Sequence, residues 1–358
     1  MTPSFWRRKR VLVTGHTGFK GAWLSLWLQS LGAEVIGYAL EPPTTPSLFE
    51  LAGVGQRMTS HLGDIRSYSG LADTIRVHRP EIVIHMAAQS LVRFSYEHPI
   101  ETFETNVMGT VHVLEAVRQT SDVSALLCVT SDKCYENRET ARPYRESDPM
   151  GGHDPYSSSK GCDELIISAY RHSYFPPTSY GEHGLAVASA RAGNVIGGGD
   201  WSADRLVVDL MNAFLAGVPA RLRNPNAIRP WQHVLEPLAG YLQLVEKLWA
   251  DGPRYSQGWN FGPDEGGAKP VLWVAERLAE LWGGDARWEV DDAQHPHEAT
   301  LLALDATKAA SQLSWTPRLD LSECLAWIVD WYRGFQQGAD PRALTLNQIA
   351  RYQDMVAV

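Results

Sequence analysis

The residues Val129-Thr130-Ser131-Asp132-Lys133-Cys134-Tyr135 and, after a polar linker, Asp154-Pro155-Tyr156-Ser157-Ser158-Ser159-Lys160 decide the fold of this chain. The first segment closes the apolar run Ala125-Leu126-Leu127-Cys128-Val129, of the composition that strands buried on both faces of a parallel sheet use. Thr130 to Lys133 therefore fall at the carboxyl end of a strand, where open α/β sheets bind their ligands. The second segment opens a helix. Asp154 suits its cap, Pro155 its first turn, and Tyr156 and Lys160 share one helical face.

The Tyr-Lys pairing has a chemical reading. A free phenol has a pKa of about 10. An ammonium group about 4 Å away is worth roughly 4 kcal/mol at an effective dielectric near 20, or about three pKa units. That predicts a Tyr156 brought near neutrality and able to act as a base. A surface helix can also carry an unrelated Tyr and Lys at this spacing. The strand ending in Thr130-Ser-Asp-Lys133 just before the helix is what gives the pair its meaning.

Working outward to the amino terminus, Arg10-Val-Leu-Val-Thr14 reads as a short buried strand and Gly15-His-Thr-Gly18-Phe-Lys-Gly21 follows it at once. A helical apolar pattern comes next (Ala22, Trp23, Leu24, Leu26, Trp27, Leu28, Leu31) and closes at Gly32. Strand, glycine turn and helix in that order form the context of a dinucleotide site, with pyrophosphate at the helix amino terminus. The spacing is Gly-xx-Gly-xx-Gly rather than the commoner Gly-x-Gly-xx-Gly. The second strand, Ala33 to Tyr38, ends near Glu41, an acidic residue at about the distance that favours NAD. Between Tyr38 and Phe49 no arginine offers itself to a 2′-phosphate, so NAD is preferred to NADP.

Asp64 follows a third strand and either accepts from an adenine amino group or caps the helix beginning at Ser67. The fourth strand, Ile82-Val-Ile-His85, runs into small residues, and Ala87 and Ala88 leave room for a cofactor to pass. Asn106, on the helix after Pro99, is either an exposed polar residue or part of a proton relay.

In the carboxyl-terminal half a strand from Leu185 to Arg191 leads into Gly193-Asn-Val-Ile-Gly-Gly-Gly-Asp-Trp201, glycine-rich enough to wrap a ligand. Arg205, Arg221, Arg223 and Arg229 are expected to cluster with Asn194, Asn224 and Asn226. Guanidinium groups suit bidentate phosphate contacts, although any one of them can be a solvated charge. Asn260-Phe-Gly-Pro263 reads as a late strand ending at the site. His295-Pro-His297-Glu298 reads as a loop and not as a metal centre. Leu321 to Tyr332 reads as a core helix, and the residues beyond Gly338 give no reading.

Size and charge exclude several classes. With 358 residues the chain fits one large domain or two modest ones. A formal net charge of −9 opposes nucleic acid or an anionic membrane surface as partner, so a phosphorylated ligand must be held by local basic groups. The four cysteines show neither metal nor disulfide spacing, and a reducing cytoplasm is the simplest setting. No signal peptide or long apolar span is read.

Taken in order, Gly15-xx-Gly18-xx-Gly21, His85-Met-Ala-Ala-Gln89, Thr130-Ser-Asp-Lys133 and Tyr156-xxx-Lys160 resemble the extended short-chain dehydrogenase/reductase superfamily. Within it, Thr14-Gly-His-Thr-Gly-Phe-Lys-Gly21, Thr130-Ser-Asp-Lys-Cys-Tyr135, Arg191-Ala-Gly-Asn-Val-Ile-Gly-Gly-Gly-Asp-Trp201 and Arg229-Pro-Trp-Gln-His-Val234 are similar to the CDP-D-glucose 4,6-dehydratases, essentially end to end. The resemblance implies an α/β fold: a Rossmann-type doubly wound parallel sheet in an NAD-binding domain over 1–190, with segments near 229–260 returning to it. A smaller mixed α/β substrate domain would occupy 191–358.

The same resemblance implies NAD held by Gly15, Thr17, Gly18, Phe19, Lys20, Gly21, Asp64, Ile65, Ala87, Ala88, Thr130, Tyr156 and Lys160. It implies CDP-D-glucose as substrate, met by Asn194, Arg205 and Arg229, and a homodimer built from helices around 99–118 and 154–174. For the reaction, Tyr156 takes the C4 hydroxyl proton as hydride leaves C4, Ser131 hydrogen-bonds the C4 oxygen, and Asp132 protonates the departing C6 hydroxyl. At position 133 the related dTDP-glucose dehydratases carry a glutamate as the C5 base, and here it is Lys133. A lysine is a base only where desolvation or neighbouring cations depress its pKa; otherwise it stabilises the enolate while another group takes the proton. A nucleotide-sugar 4-epimerase shares the oxidation but needs no acid and base beside Ser131. A non-catalytic dinucleotide-binding protein would be expected to lack part of the Tyr-Lys-Ser set, all of which is present here.

Overall fold

The structure is a computed structural model that describes residues 2–140, 142–291 and 302–355. His295, His297 and Glu298 lie outside the described residues. The strands are β1 (Arg10–Thr14), β2 (Glu34–Ala39), β3 (Thr59–Leu62), β4 (Ile82–His85), β5 (Ala125–Val129), β6 (Ala186–Ala192), β7 (Asn194–Ile196), β8 (Ala220–Leu222), β9 (Ile228–His233), β10 (Gly258–Phe261), β11 (Ala268–Pro270) and β12 (Trp288–Val290). Seven of them form one sheet in the order β3-β2-β1-β4-β5-β6-β10, parallel throughout. The order reverses between β1 and β4, the position at which doubly wound sheets open a ligand crevice.

Alternate residues of these strands feed two separate apolar layers. Val11, Val13, Ile82, Ile84, Leu127 and Ala188 point to one face, while Leu12, Val83, Leu126, Cys128 and Val187 point to the other. Burial on both faces is why these strands read as continuous apolar runs rather than as alternating patterns. Helix Phe19–Ser30 packs on the first face, and helices Tyr68–His78 and Gly109–Arg118 on the second.

The chain returns to this sheet late. Helix Leu235–Ala250 covers β5 and β6, and β10 pairs with β6 at the sheet edge, burying Trp259 and Phe261. β11, β9 and β7 form a small mixed sheet, and β8 pairs with β12 in a two-stranded ribbon. Helix Leu321–Gln336 starts at a capping box made by Asp320 and Glu323 and buries Trp327, Ile328 and Trp331. The last helix, Pro341–Asp354, packs back onto Phe19–Ser30: Trp27 meets Tyr352 edge to face, and Arg342 donates to Gln29. The segment that gave no reading from sequence thus clamps the helix that follows the glycine turn.

The glycine-rich loop after β6 does not wrap a ligand along its length. A Cβ on Gly198 would fall 2.1 Å from the Trp331 ring, one on Gly197 would meet Val234 and Phe19, and one on Gly199 would meet Leu48. These glycines serve close packing against Trp331, Val234, Phe19 and Leu48. Of the four, only Gly193 borders the candidate site, where a Cβ would lie 2.9 Å from Asp132 Oδ2.

Candidate active site

β1 and β4 end side by side, and the turn after each builds one wall of the crevice. Gly15 has φ +76°, and a Cβ there would stand 2.8 Å from the Ala87 backbone. Gly21 sits so close beneath Gly15 that a Cβ would overlap its carbonyl oxygen at 2.1 Å. Gly18 caps helix Phe19–Ser30 without any side-chain cap. The helix amino terminus is therefore presented bare beside small residues, a cradle suited to a dinucleotide pyrophosphate. Thr14 Oγ1 accepts from the amides of Met86 and Ala87, tying the two turns together. Thr17 donates its hydroxyl to the Leu40 carbonyl, and Glu41 is exposed beyond the end of β2.

Asp64 is held by Arg66 in a 2.6 Å ion pair, and hydrogen bonding from Arg66 lowers its pKa. The cap of helix Tyr68–His78 is Ser67, not Asp64. Ile65 is buried against Gly109. His16, within the glycine turn, is buried, with Nε2 2.7 Å from Ser60 Oγ, and burial lowers its pKa to about 4, so the ring is neutral.

The opposite wall is the turn after β5 and the helix Pro155–Ser173. Asp154 caps that helix by accepting from the Ser157 amide, with Pro155 in the first turn. Tyr156 and Lys160 lie on its buried face. The residues Asp132–Cys134 form a short 3-10 turn whose cap is Ser131, accepting from the Lys133 amide. Ser131 in turn donates to Asp132 Oδ1 at 3.0 Å, while Asp132 Oδ2 is buried with no hydrogen-bond partner. Burial pushes the Asp132 carboxyl above its usual pKa, against the downward pull of Lys133, Ser131 and Arg229. A carboxyl whose pKa is raised is suited to protonate a leaving hydroxyl.

Tyr156 departs from the sequence expectation. Burial raises its pKa above 10, and the opposing pull of Lys160 is smaller than burial's effect. Lys160 donates to Asp163 at 2.8 Å, so its charge is shared with a carboxylate that the sequence reading did not weigh. Asn106 is buried rather than exposed. It lies in a single π turn, Glu104–Met108, accepts from the Gln89 amide and donates to Ser159, joining the turn after β4 to the catalytic helix.

Glu164 was also missed. It accepts from Thr130 at 2.5 Å, from Ser189 at 2.7 Å and from Arg191 at 2.6 Å. Arg191 also donates to the Tyr135 hydroxyl, which bonds to Asn260 on β10. This buried network locks the helix of Tyr156 and Lys160 to the strand end that carries Ser131 and Asp132. Its one visible signal is that Tyr156, Lys160 and Glu164 recur every four residues along one helical face.

The basic residues do not form one cluster. Arg221 is exposed on the β8–β12 ribbon and faces Glu289, because Ala220 and Leu222 turn inward on either side of it. Arg223 pairs with Asp204 and Asp209, and Asn224 and Asn226 are exposed. Arg205 and Arg229 do converge on the site. Arg205 pairs with Asp200 at 2.8 Å and contacts Ser90, and its charge reaches Lys20 and Tyr156. Arg229 is buried, and its charge reaches Asp132. Asn194 opens β7 beside Trp231. Lys20 donates to the buried Tyr241 hydroxyl at 3.2 Å, and burial with Arg205 and Lys160 nearby lowers its pKa to about 7.

A glycine cradle on one side of a parallel-sheet crevice, facing Ser131, Asp132, Tyr156 and Lys160, agrees with the comparisons with known proteins. The GDP-mannose 4,6 dehydratase family profile matches residues 12–327. The chain belongs to that family. It is 54% identical over 349 residues to the CDP-glucose 4,6-dehydratase of Salmonella typhimurium, covering 98% of this chain and 97% of the relative. A solved Thermus thermophilus UDP-glucose 4-epimerase complexed with NAD superposes with a TM-score of 0.76 at 26% identity, covering 91% of this chain and 99% of that one. The dTDP-glucose 4,6-dehydratase of Bacillus anthracis, solved with NAD, has a TM-score of 0.75 at 23% identity over 93% and 99% of the two chains, a likeness of fold. Among the described residues no group of three or more side chains could hold a metal ion, and no helix is long and apolar enough to cross a membrane.

Proposed function

We propose that this chain is an NAD-dependent nucleotide-sugar dehydratase that converts CDP-D-glucose to CDP-4-dehydro-6-deoxy-D-glucose and water, a step of deoxysugar biosynthesis. The observation that carries the proposal is the position of Asp132: a buried carboxyl with one oxygen held by Ser131 and the other without a hydrogen-bond partner, within the field of Arg229 and beside Tyr156. Oxidation at C4 alone needs no such acid. The Salmonella typhimurium relative, at 54% identity, supports the choice of nucleotide.

In this reading Gly15, Thr17, Gly18, Phe19, Lys20 and Gly21 hold the cofactor pyrophosphate, Asp64 and Ile65 its adenine end, and Ala87, Ala88 and Thr130 its middle. Bound NAD supplies the hydride acceptor for C4 and the hydride donor for C6. Tyr156 takes the proton of the C4 hydroxyl, assisted by Lys160, while Ser131 donates to the C4 oxygen. The ketone at C4 acidifies the C5 hydrogen, and Asp132 protonates the C6 hydroxyl as it leaves. Lys133 stands next to Asp132 as the C5 base or as the charge that stabilises the enolate. Lys20, with its pKa brought to about 7, is a second amine beside Asp132. Asn194, Arg205 and Arg229 receive the nucleotide sugar.

The reading divides the chain into an NAD-binding unit over 1–190, joined by the returning stretch near 229–260, and a substrate-binding unit over the remainder of 191–358. Ile100, Phe103, Met108, Leu165 and Tyr174 are exposed on helices near 99–108 and 155–174, which supports a homodimer through that face. Four free cysteines, three of them buried, are compatible with a reducing cytoplasm.

The test is incubation with NAD and CDP-glucose in heavy water, following mass and NMR. Loss of water with deuterium at C5 and no net NADH is the expected result. A 4-epimer without C5 exchange would make the protein an epimerase, and turnover of another nucleotide sugar alone would overturn the base specificity.

A further inference from the structure

One exposed carboxylate joins two arginines at the mouth of the crevice. Asp204 Oδ1 accepts from Arg93 Nη1 at 3.1 Å and from Arg223 Nη1 at 2.6 Å. Arg93 stands in the first turn of helix Val92–Glu97 and Arg223 follows β8, so the two guanidiniums come from different halves of the chain. Arg205, next to Asp204 in sequence, makes a parallel crossing: it pairs with Asp200 at 2.8 Å and donates to Ser90 at 3.2 Å. Asp209 adds a 3.5 Å pair to Arg223. Arg93, Arg205 and Arg223 thus face Asp200, Asp204 and Asp209, and the charges cancel.

A diphosphate arriving at these three arginines gains little unless a carboxylate withdraws. Asp200 is fixed. It is buried, its Oδ1 accepts from the Ser202 amide at 3.0 Å, its carbonyl accepts from Tyr332, and the neighbouring Trp201 packs on Trp331 and Tyr332. Asp209 is half-buried on helix Leu206–Ala216. Asp204 is exposed in the turn before that helix, with φ +60°, a left-handed conformation costly to a residue other than glycine. Of the three it is the one able to move away. Its Oδ1, shared by two guanidiniums, also stands as a phosphate oxygen would between two arginines.

We propose that Asp204 is a placeholder for the substrate's diphosphate, holding Arg93 and Arg223 before the nucleotide sugar binds and yielding both to it. The role rests on the nucleotide-sugar reading of the crevice, and it adds Arg93 and Arg223 to the residues that meet the diphosphate. Only ion pairs are exchanged. The pairs given up lie between partly exposed side chains, where an ion pair is weak. A diphosphate brings more charge and more acceptor oxygens than one carboxylate, so it wins the exchange. Asp204 keeps two long side chains ordered for the substrate and weakens its binding in return.

The test is calorimetric titration of the NAD-loaded protein with CDP, which carries the diphosphate and does not turn over, and with cytidine, which lacks it. Wild type is compared with Asp204→Asn, Arg93→Gln and the double variant. Asparagine accepts the left-handed backbone, so Asp204→Asn keeps the turn and removes the competing charge. It should bind CDP about three- to tenfold more tightly, and Arg93→Gln about threefold or more weakly, with cytidine binding unchanged in both. The gain from Asp204→Asn should shrink to less than about half once Arg93→Gln is added, because the two residues act on each other. Unchanged or weaker CDP binding by Asp204→Asn would make the bridge a structural ion pair and overturn the proposal. A gain that persists in full in the double variant would reduce the effect to the loss of a nearby negative charge, and would overturn it equally. Failure of the wild type to dehydrate CDP-glucose, with these effects on CDP binding intact, would overturn the dehydratase reading alone.

Discussion

Lys160 donates a 2.8 Å hydrogen bond to Asp163, one turn further along the same helix, and both side chains are buried. The other groups around Lys160 bring little opposing charge. The His85 ring on β4, with its pKa lowered to about 3 by burial, is neutral, and burial pushes the Cys128 thiol on β5 well up. Lys20 in the glycine turn is a like charge, and Glu164, beside Asp163, is already committed to Arg191. Asp163 is therefore the carboxylate that shares the Lys160 charge, while burial and Asp132 are what raise Tyr156 directly. Asp163→Asn should lower the Tyr156 pKa by about one to two units, since unit charges several ångströms apart interact by about 2 kcal/mol at an effective dielectric near 20. Tyr156 works as a base, so the acid limb of kcat should move to lower pH. The unpaired Lys160 should also destabilise the fold by about 3 kcal/mol. An unmoved acid limb in a folded variant would show that Asp163 does not tune the phenol.

Asp132 is separable from the oxidation step. Burial raises its pKa, and its Oδ2 is buried without a hydrogen-bond partner, which suits the carboxyl to donate to a leaving group. Asp132→Asn keeps the shape but removes the transferable proton. Water loss should fall by roughly 100-fold or more, the usual worth of a positioned acid, while NADH accumulates transiently at C4 oxidation. Dehydration at the wild-type rate would mean that another group is the acid.

What sequence made legible here was local. The strand Arg10–Thr14, its glycine turn and the helix behind it are adjacent in the chain, as are Asp154, Pro155 and the helix they start, so pattern and capping rules suffice. The Glu164 clamp was hidden because its partners, Thr130, Ser189 and Arg191, are gathered by the pairing of β5 with β6. Gly197 to Gly199 looked like ligand-wrapping glycines because the residues that demand them, Phe19, Leu48, Val234 and Trp331, lie far away in the chain. The misplacement of Arg221 could have been avoided: Ala220-Arg221-Leu222 alternates with period two, which sends the arginine outward.

Lys20 couples cofactor affinity to pH. With a pKa lowered to about 7, its ammonium is present below that value and lost above it. A pyrophosphate seated at the amino terminus of helix Phe19–Ser30 is attracted only by the protonated form. NAD affinity should therefore weaken by up to about tenfold as pH rises through 7, the worth of one charge-assisted contact. Lys20→Met should bind NAD weakly and with a flat pH dependence. Equilibrium titration of NAD binding at several pH values decides the matter. Parallel pH profiles for wild type and variant would remove Lys20 from the cofactor site.

Arg205 and Arg229 differ from Arg221 in what surrounds them, and substrate affinity should report the difference. Arg205 reaches Ser90 and Asp200 at the crevice, and Arg229 is buried within the field of Asp132. Arg221 is an exposed partner of Glu289 on a ribbon, the kind of surface pair worth less than about 1 kcal/mol. Losing a bidentate contact to a diphosphate removes about 1.5 to 3 kcal/mol, so Arg205→Ala and Arg229→Lys should raise the KM for CDP-glucose by roughly 10- to 100-fold. Arg205→Ala should leave NAD affinity nearly unchanged if its contact is with the sugar nucleotide and not with the cofactor. Arg221→Ala should match wild type in KM, kcat and Tm. A raised KM for Arg221→Ala, with Arg205→Ala silent, would move the nucleotide-sugar site from the crevice to the ribbon.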